Sequence, residues 1–489
     1  MNTLLWFQRD LRTYDNPALN WALQQGHPVV AVYIHSPEED ATWAAGGASK
    51  WWLYQSLEKL STSLLKLNIN LYFFNADSVY KIPQLAKQLQ CDSVVWSNRH
   101  EPERIACEAD IESKLISNSI TVQRFNDNLL NQPAQFLTAT TKTPYRVFTP
   151  FYKKLRAELN LYDFHQKTLS DAKKQKASEQ QVIKNLVQKY LPSGQINLQQ
   201  LNLLEAHNWH NKLNSYWSPG EQSALQKLET FIDETLISYP AGRDIPAIDG
   251  TSNLSPHLHF GEISPRQIIA ALVPLIEIQG GKKAQAAEAF LRQLIWREFA
   301  RYILWHYPDT TLTPMNSRFK KGFWKHNKQQ LKVWQKGETG IALVDAGMKQ
   351  LWETGWMHNR VRMLVASLLT KNLGISWLDG ARWFWDTLVD ADLANNTMGW
   401  QWVAGCGVDA SPYYRIFNPH TQALKFDKQA SYRHRWLGAA HQQTLITPAK
   451  PVIDLASSRI DALERYKSMV KNTPVEIEKA RQNTMTVKT

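Results

Sequence analysis

Five short apolar runs recur through the first 130 residues, and helical patterns fill the gaps between them. LLWF (4–7), VVAVYI (29–34), LYFF (71–74), SVVW (93–96) and TVQRF (121–125) read as buried strands. The stretch SKWWLYQSLEKLSTSLLKL between two of them carries the 3–4 apolar spacing of a helix. Strands alternating with helices of this length predict an α/β domain with a doubly wound parallel sheet, because parallel neighbours need long crossovers. Ligands of such sheets sit beyond the carboxyl ends of the strands. No GxGxxG follows the first run, so ordinary dinucleotide binding at that turn is not supported.

The pattern then changes. HQKTLSDAKKQKASEQQVIKNLVQKY, followed by LPSG, is rich in Gln, Lys and Ser and reads as an exposed connector with some helix. From about residue 219, helical spacing runs almost to the end in QLIWREFARYILWHY, GIALVDAGMKQLWE, WMHNRVRMLVASLLTKNL and SWLDGARWFWDTLV. The expected organisation is an α/β domain over 1–130, a connector over 131–218, an all-helical domain over 219–475 and a polar tail over 476–489. The 489 residues suffice for two or three domains.

Composition narrows the function classes. Lys and Arg number 56 against 44 Asp and Glu, a net charge of +12 that suits a polyanion partner. Cys91, Cys107 and Cys406 share no metal-ligand spacing, so no metal site is expected and a reducing compartment is. Charges come too early in MNTLLWFQRDLRTYDN for a signal peptide, and no apolar run approaches the ~20 residues of a membrane span. A cytoplasmic, bacterial monomer is the expectation. Twenty tryptophans fit a Trp-heavy core, which composition alone favours, or a use of the rings for stacking or electron transfer.

Three stretches carry the chemistry. In FLRQLIWREFARYI, Gln293, Trp296, Arg297 and Ala300 share one helical face, a wall suited to a flat polar ligand. In GWMHNRVRM, Asn359 and Met363 share a face with Arg362 alongside, while Arg360 points elsewhere. Arginines in an apolar helix need anions, and Asp390 and Asp392 in VDADLANN are the candidates. In DGTSNLSPHLHFG, hydroxyls, an amide and free N–H groups precede a helix, a start suited to phosphate. Upstream, Tyr239 and Arg243 add a ring and a fixed charge. In NNTMGWQW, Trp400 and Trp402 lie about 200° apart on a helix and must face different neighbours.

These motifs, with WFQRDLRTYDNPAL at the start, YRVFTPFYKKL near 145 and PYYRIFNP after the last helix, resemble the signatures of the DNA photolyase/cryptochrome family in their order. The resemblance covers nearly the whole chain and is closest to class I-like cyclobutane pyrimidine dimer photolyases. It implies FAD in the helical domain, held by Tyr239, by Thr251, Ser252, Asn253, Leu254 and Ser255, and by Asn359, Arg362, Asp390, Asp392 and Asn396. Asn396 falls where the family faces flavin N5. Trp400, Trp377 and Trp324 match the family's electron-transfer triad, and Trp296 and Trp402 match the aromatic pair that grips an extruded lesion. Arg243, Gln293, Arg297, Asn359, Arg360, Arg415 and Gln422 match positions that meet DNA.

The implied activity is light-driven repair of cyclobutane pyrimidine dimers by electron transfer from photoexcited reduced FAD to a flipped-out lesion in UV-damaged DNA. Gln293 stands where dimer photolyases usually carry Glu. The (6-4) photolyases carry Gln there but need two histidines where this chain has Asn359 and Met363. An antenna chromophore, a folate or a deazaflavin, is usual in the family, and NRHEPER (98–104) lacks the Asn-Glu pair of the best-known folate sites. The runner-up is a cryptochrome-type light sensor; the short sequence after the helical domain and the retained Trp296 and Trp402 favour the enzyme. A non-catalytic nucleic-acid-binding module, drawn from charge alone, leaves the flavin and triad positions without a purpose.

Overall fold

The computed structural model describes residues 1–161, 175–190, 196–204, 208–279, 281–319, 322–409, 414–438 and 450–471. The polar tail expected over 476–489 lies outside them.

The five apolar runs form five strands: β1 (Asn2–Phe7), β2 (Val29–His35), β3 (Leu71–Asn75), β4 (Cys91–Ser97) and β5 (Thr121–Phe125). They make one sheet in the order β3-β2-β1-β4-β5, with every pairing parallel. The order reverses at β1, so this is the doubly wound arrangement. Alternate residues of β1 enter different cores. Leu5 and Phe7 pack beneath the helix Gly47–Lys66, while Leu4 and Trp6 pack with the helices Ser78–Gln88 and Pro102–Ser117. That is why β1 reads as a continuous apolar run rather than an alternating one.

The stretch read as an exposed connector is partly built into both domains. Phe148, Phe151 and Leu155 of the helix Phe148–Glu158 are buried in the core of the helical domain. Ile183 and Val187 of the helix Ala177–Tyr190 close one face of the sheet. Their apolar spacing of three and four residues was present in the sequence, but the polar residues around it masked the stripe.

In the helical domain, the 26-residue helix Gly281–His306 crosses the interior. The helices Asn359–Ser367, Trp377–Thr387 and Leu393–Ala404 lean against it or one another around a shared core. Local chemistry sets their starts. Ser376 caps Trp377–Thr387 by accepting from Leu378 N, and Asp392 caps Leu393–Ala404 by accepting from Asn395 N at 3.0 Å. Gly405, at φ 82°, ends the second of these in a left-handed turn. No helix among the described residues is long and apolar enough to cross a membrane.

Candidate functional site

Between these helices lies a cavity of about 620 Å³. Its lining includes Tyr239, Thr251, Ser252 and Ser255, then Asn396, Asp390, Asp392 and Arg362, and also Gln293, Trp296, Met363 and Trp402. Sequence reasoning had named all of these. Four stretches far apart in the chain therefore converge on one concave surface.

The carboxylates are ordered by different partners. Arg362 Nη2 donates to both oxygens of Asp390, at 3.1 and 2.9 Å, and Ser255 Oγ adds a third bond at 2.7 Å. Arg362 Nε is fixed by Met357 O at 2.7 Å. Asp392 does not pair with an arginine of that helix, contrary to expectation. Its Oδ2 accepts from Arg301 Nη2 at 3.0 Å and lies 3.7 Å from His259 Nδ1, while Oδ1 holds Asn395. Arg301 and then His259 keep the Asp392 carboxyl well below its usual range against the opposing effect of burial. Arg360, two residues from Arg362 and so on another face, pairs with Asp244 at 2.7 Å and covers the ring of Phe426.

Further expectations are corrected. Arg297, placed with the DNA contacts, is buried and donates to Asn128 O and Leu258 O; burial, then Arg301, lowers its pKa to about 9. It lines the cavity from inside. Asn253 takes φ 52° and gives its amide to Asp249, and Leu254 is buried in the core, so neither side chain reaches the cavity. Ala300 also lies off this wall, beside a smaller void. Gln422 lies away from the cavity, and Arg415 is exposed beside a separate small void behind Trp402. Gln293 faces the cavity, but its Oε1 already accepts from Arg243 Nη2 at 3.0 Å.

The three tryptophans read as a triad are strung along one core. Trp400 is buried against Phe384 and Trp334, at ring distances of 5.0 and 6.1 Å. Its indole lies over Gly380, in the helix that begins at Trp377. Lys325 N donates to Gly374 O at 2.7 Å, which brings Trp324 beside the start of that helix. Trp402, two positions on, turns to the cavity mouth, where its Nε1 donates to Asp409 O at 3.0 Å.

The residues suit a flavin dinucleotide. Besides three hydroxyls, the walls carry a buried polar atom with no protein hydrogen-bond partner, Trp400 Nε1. Asn396 gives one amide hydrogen to Ala381 O at 3.0 Å and keeps its remaining hydrogen-bonding capacity for a ligand. Residues 290–486 match the FAD binding domain of DNA photolyase, and residues 3–174 match the DNA photolyase family. A deoxyribodipyrimidine photo-lyase of Agrobacterium fabrum is 40% identical over 89% of this chain and 86% of its own. The chain belongs to the DNA photolyase/cryptochrome family. The crystal structure of a bacterial class III photolyase from Agrobacterium tumefaciens superposes with a TM-score of 0.83 at 35% identity, covering 96% of this chain and 98% of that one. Cryptochrome-1 of Arabidopsis thaliana is 33% identical over 89% of this chain, which spans 62% of that longer protein.

Sequence reasoning missed His259, Arg301, Phe148 and Asp409. The first two carried a signal: a histidine and an arginine on apolar helices, one turn from residues already chosen. Phe148 lies inside the YRVFTPFYKKL motif already quoted, and Asp409 gave no signal.

At the strand ends of the α/β domain, Arg104 pairs with Glu39 and Asp40, and Arg99 with Glu101. The void among them is about 30 Å³, room for about one water and not for a chromophore ring as these side chains stand.

Proposed function

We propose that this protein repairs cyclobutane pyrimidine dimers in UV-damaged DNA, with FAD as its working cofactor. The observation that carries the reading is that two half-buried indoles, Trp296 and Trp402, open into the same cavity as Asn396 and the paired carboxylates. An extruded dinucleotide loses its stacking partners, and two π faces at the mouth offset that loss. Met363 and Val408 add apolar wall.

When bound, FAD supplies light absorption and one transferable electron. The chain supplies the rest. Thr251, Ser252 and Ser255 offer hydroxyls to phosphate and sugar, and Asp390 with Arg362 and Asp392 with Arg301 hold fixed charges around the ring system. Trp324, Trp377 and Trp400 carry an electron inward from the surface to keep the cofactor reduced. Gln293 supports a lesion carbonyl by hydrogen bonding but supplies no proton, and neither Asn359 nor Met363 donates one as an imidazolium does. That disfavours (6-4) repair. Arg243, on the cavity wall, meets DNA phosphate at the mouth, so binding weakens with salt. The class III relative favours that grouping over the class I-like one. A light sensor without repair leaves the two mouth indoles without a ligand.

The test is repair itself. Reduced protein is mixed with an oligothymidine bearing cyclobutane dimers, and the thymine absorbance is followed under blue light, with a dark control and a (6-4) substrate alongside. Light-dependent recovery on the dimer alone is expected, and Gln293→Glu should raise the yield. Full FAD with no recovery on either substrate would refute the reading in favour of a sensor.

A further inference from the structure

The two indoles at the mouth come from helices that do not fix each other's side chains directly, yet a lesion gripped between them requires a set gap. One residue outside both helices touches the support of each. Asp409 sits in the turn after Gly405, at φ 49°, a left-handed conformation uncommon for a residue with a side chain. Its backbone carbonyl accepts from Trp402 Nε1 at 3.0 Å. Its carboxylate Oδ1 accepts from Phe148 N at 3.3 Å. The ring of Phe148 in turn lies face to face with Trp296, 3.5 Å between centroids and 8° between planes. Trp296 therefore has one face covered and offers only its other side to the cavity.

Phe148 is itself held. It is buried, it stacks with Tyr152 at 5.7 Å, and the Arg292 guanidinium lies 4.8 Å from its ring centre. The Asp409 carboxyl is half-buried at the cavity wall, and Arg292 acts on it across this group. A second backbone bond, Asp409 N to Arg146 O at 3.3 Å, anchors the turn to the segment that carries Phe148.

We propose that Asp409 is a positioning residue for damaged-DNA recognition. By joining Trp402 through its carbonyl and Phe148–Trp296 through its carboxylate, it fixes the gap between the two indoles and so the preference for a dimer over undamaged bases. The proposal rests on the reading of this cavity as a lesion site. The left-handed backbone belongs to the device, because it lets carbonyl and carboxylate of one residue point to different neighbours.

The experiment uses full-length, FAD-loaded protein and fluorescence titration with two oligonucleotides, one carrying a cyclobutane dimer and one undamaged. The quantity read is the ratio of the two dissociation constants. Asp409→Gly permits the positive φ and keeps the carbonyl but removes the carboxylate. Phe148→Leu keeps apolar bulk but removes the stacked face. Each is expected to lower the ratio by about tenfold, the effect of one lost hydrogen bond or stacking contact. FAD content and the rate of light-driven FAD reduction should stay at wild-type values. Asp409→Asn, which tolerates φ > 0 and keeps the Oδ1 acceptor, should rescue the ratio. A wild-type ratio in Asp409→Gly overturns the proposal, and so does a parallel fall in FAD content and photoreduction, which marks a structural role only. A wild-type protein that does not prefer the dimer overturns the lesion-site reading itself, and this proposal with it.

Discussion

Replacing Gly380 by alanine tests whether the helix Trp377–Thr387 is shaped to receive the Trp400 ring. A Cβ at 380 would stand 2.1 Å from Trp400 Cη2, 2.4 Å from Cζ3 and 2.7 Å from Leu369 Cδ2. Carbon atoms in contact prefer about 3.5–4.0 Å, so the overlap with the Trp400 ring exceeds an ångström, and Leu369 crowds the Cβ as well. Phe384 and Trp334 lie against Trp400, so the ring can yield only toward the cavity. Overpacking of this kind costs about 3 kcal/mol, the upper end of the usual range, and alanine's better helix propensity returns about 1 kcal/mol. A net loss of about 2 kcal/mol is expected. Gly399 is the control for helix propensity in the cofactor-free chain: it lies in the neighbouring helix on the cavity wall, and its added Cβ meets no protein atom within 4 Å. Gly399→Ala should gain about 0.5–1 kcal/mol from propensity alone. The assay is urea unfolding of both variants, with light-driven reduction of bound FAD measured alongside. Gly380→Ala should fall in midpoint and slow in photoreduction, because a displaced Trp400 leaves its register with Trp377. If Gly380→Ala is as stable as Gly399→Ala and photoreduces at the wild-type rate, the close approach argued here is wrong.

Two further expectations concern buried titratable groups. His358 is buried, and burial lowers its pKa from 6.5 to about 4. Below pH 6.5 the unfolded chain binds a proton that the folded chain refuses, so stability falls as pH drops from 6.5 toward 4; at pH 5 this residue's share is about 2 kcal/mol. His358→Asn keeps a capping side chain and should flatten that part of the slope in unfolding midpoints taken at pH 7 and pH 5. Lys371 is buried with its ammonium over the Tyr414 ring, and burial lowers its pKa to about 7. Between pH 7 and 10.5 the unfolded chain holds the extra proton, so wild-type stability should rise with pH. Lys371→Met should be more stable by about 2–4 kcal/mol at pH 7 and lack that rise; equal stability of the two at pH 7 would contradict the assignment.

The fold was legible because it depends on local periodicity. Each strand lies within a few residues of its apolar run, because β1, β2 and β4 are buried along nearly their whole length and show no polar alternation; β5, read as buried, is only partly so. The cavity's principal residues were legible through the family's motifs, which group them by stretch. What stayed hidden was how the stretches meet. Arg362 and Asp390 are 28 residues apart, Arg301 and Asp392 are 91 apart, and Phe148 and Asp409 are 261 apart. Helix geometry already set Arg360 and Arg362 on different faces, but only the tertiary structure gave Asp390 to Arg362 and Asp244 to Arg360. Trp400 and Trp402 were separable in sequence, because a 200° turn follows from helix geometry alone. That one of them enters the core and the other meets Asp409 was not, because a side chain's partner depends on which distant element fills the space beside it. The sequence by itself determined the strands, the helices and the chemical inventory of the cavity. The tertiary structure decided which charges pair, which glycine receives an indole and which residue sets the gap at the mouth, since hydrogen bonds and steric contacts act over a few ångströms regardless of separation along the chain.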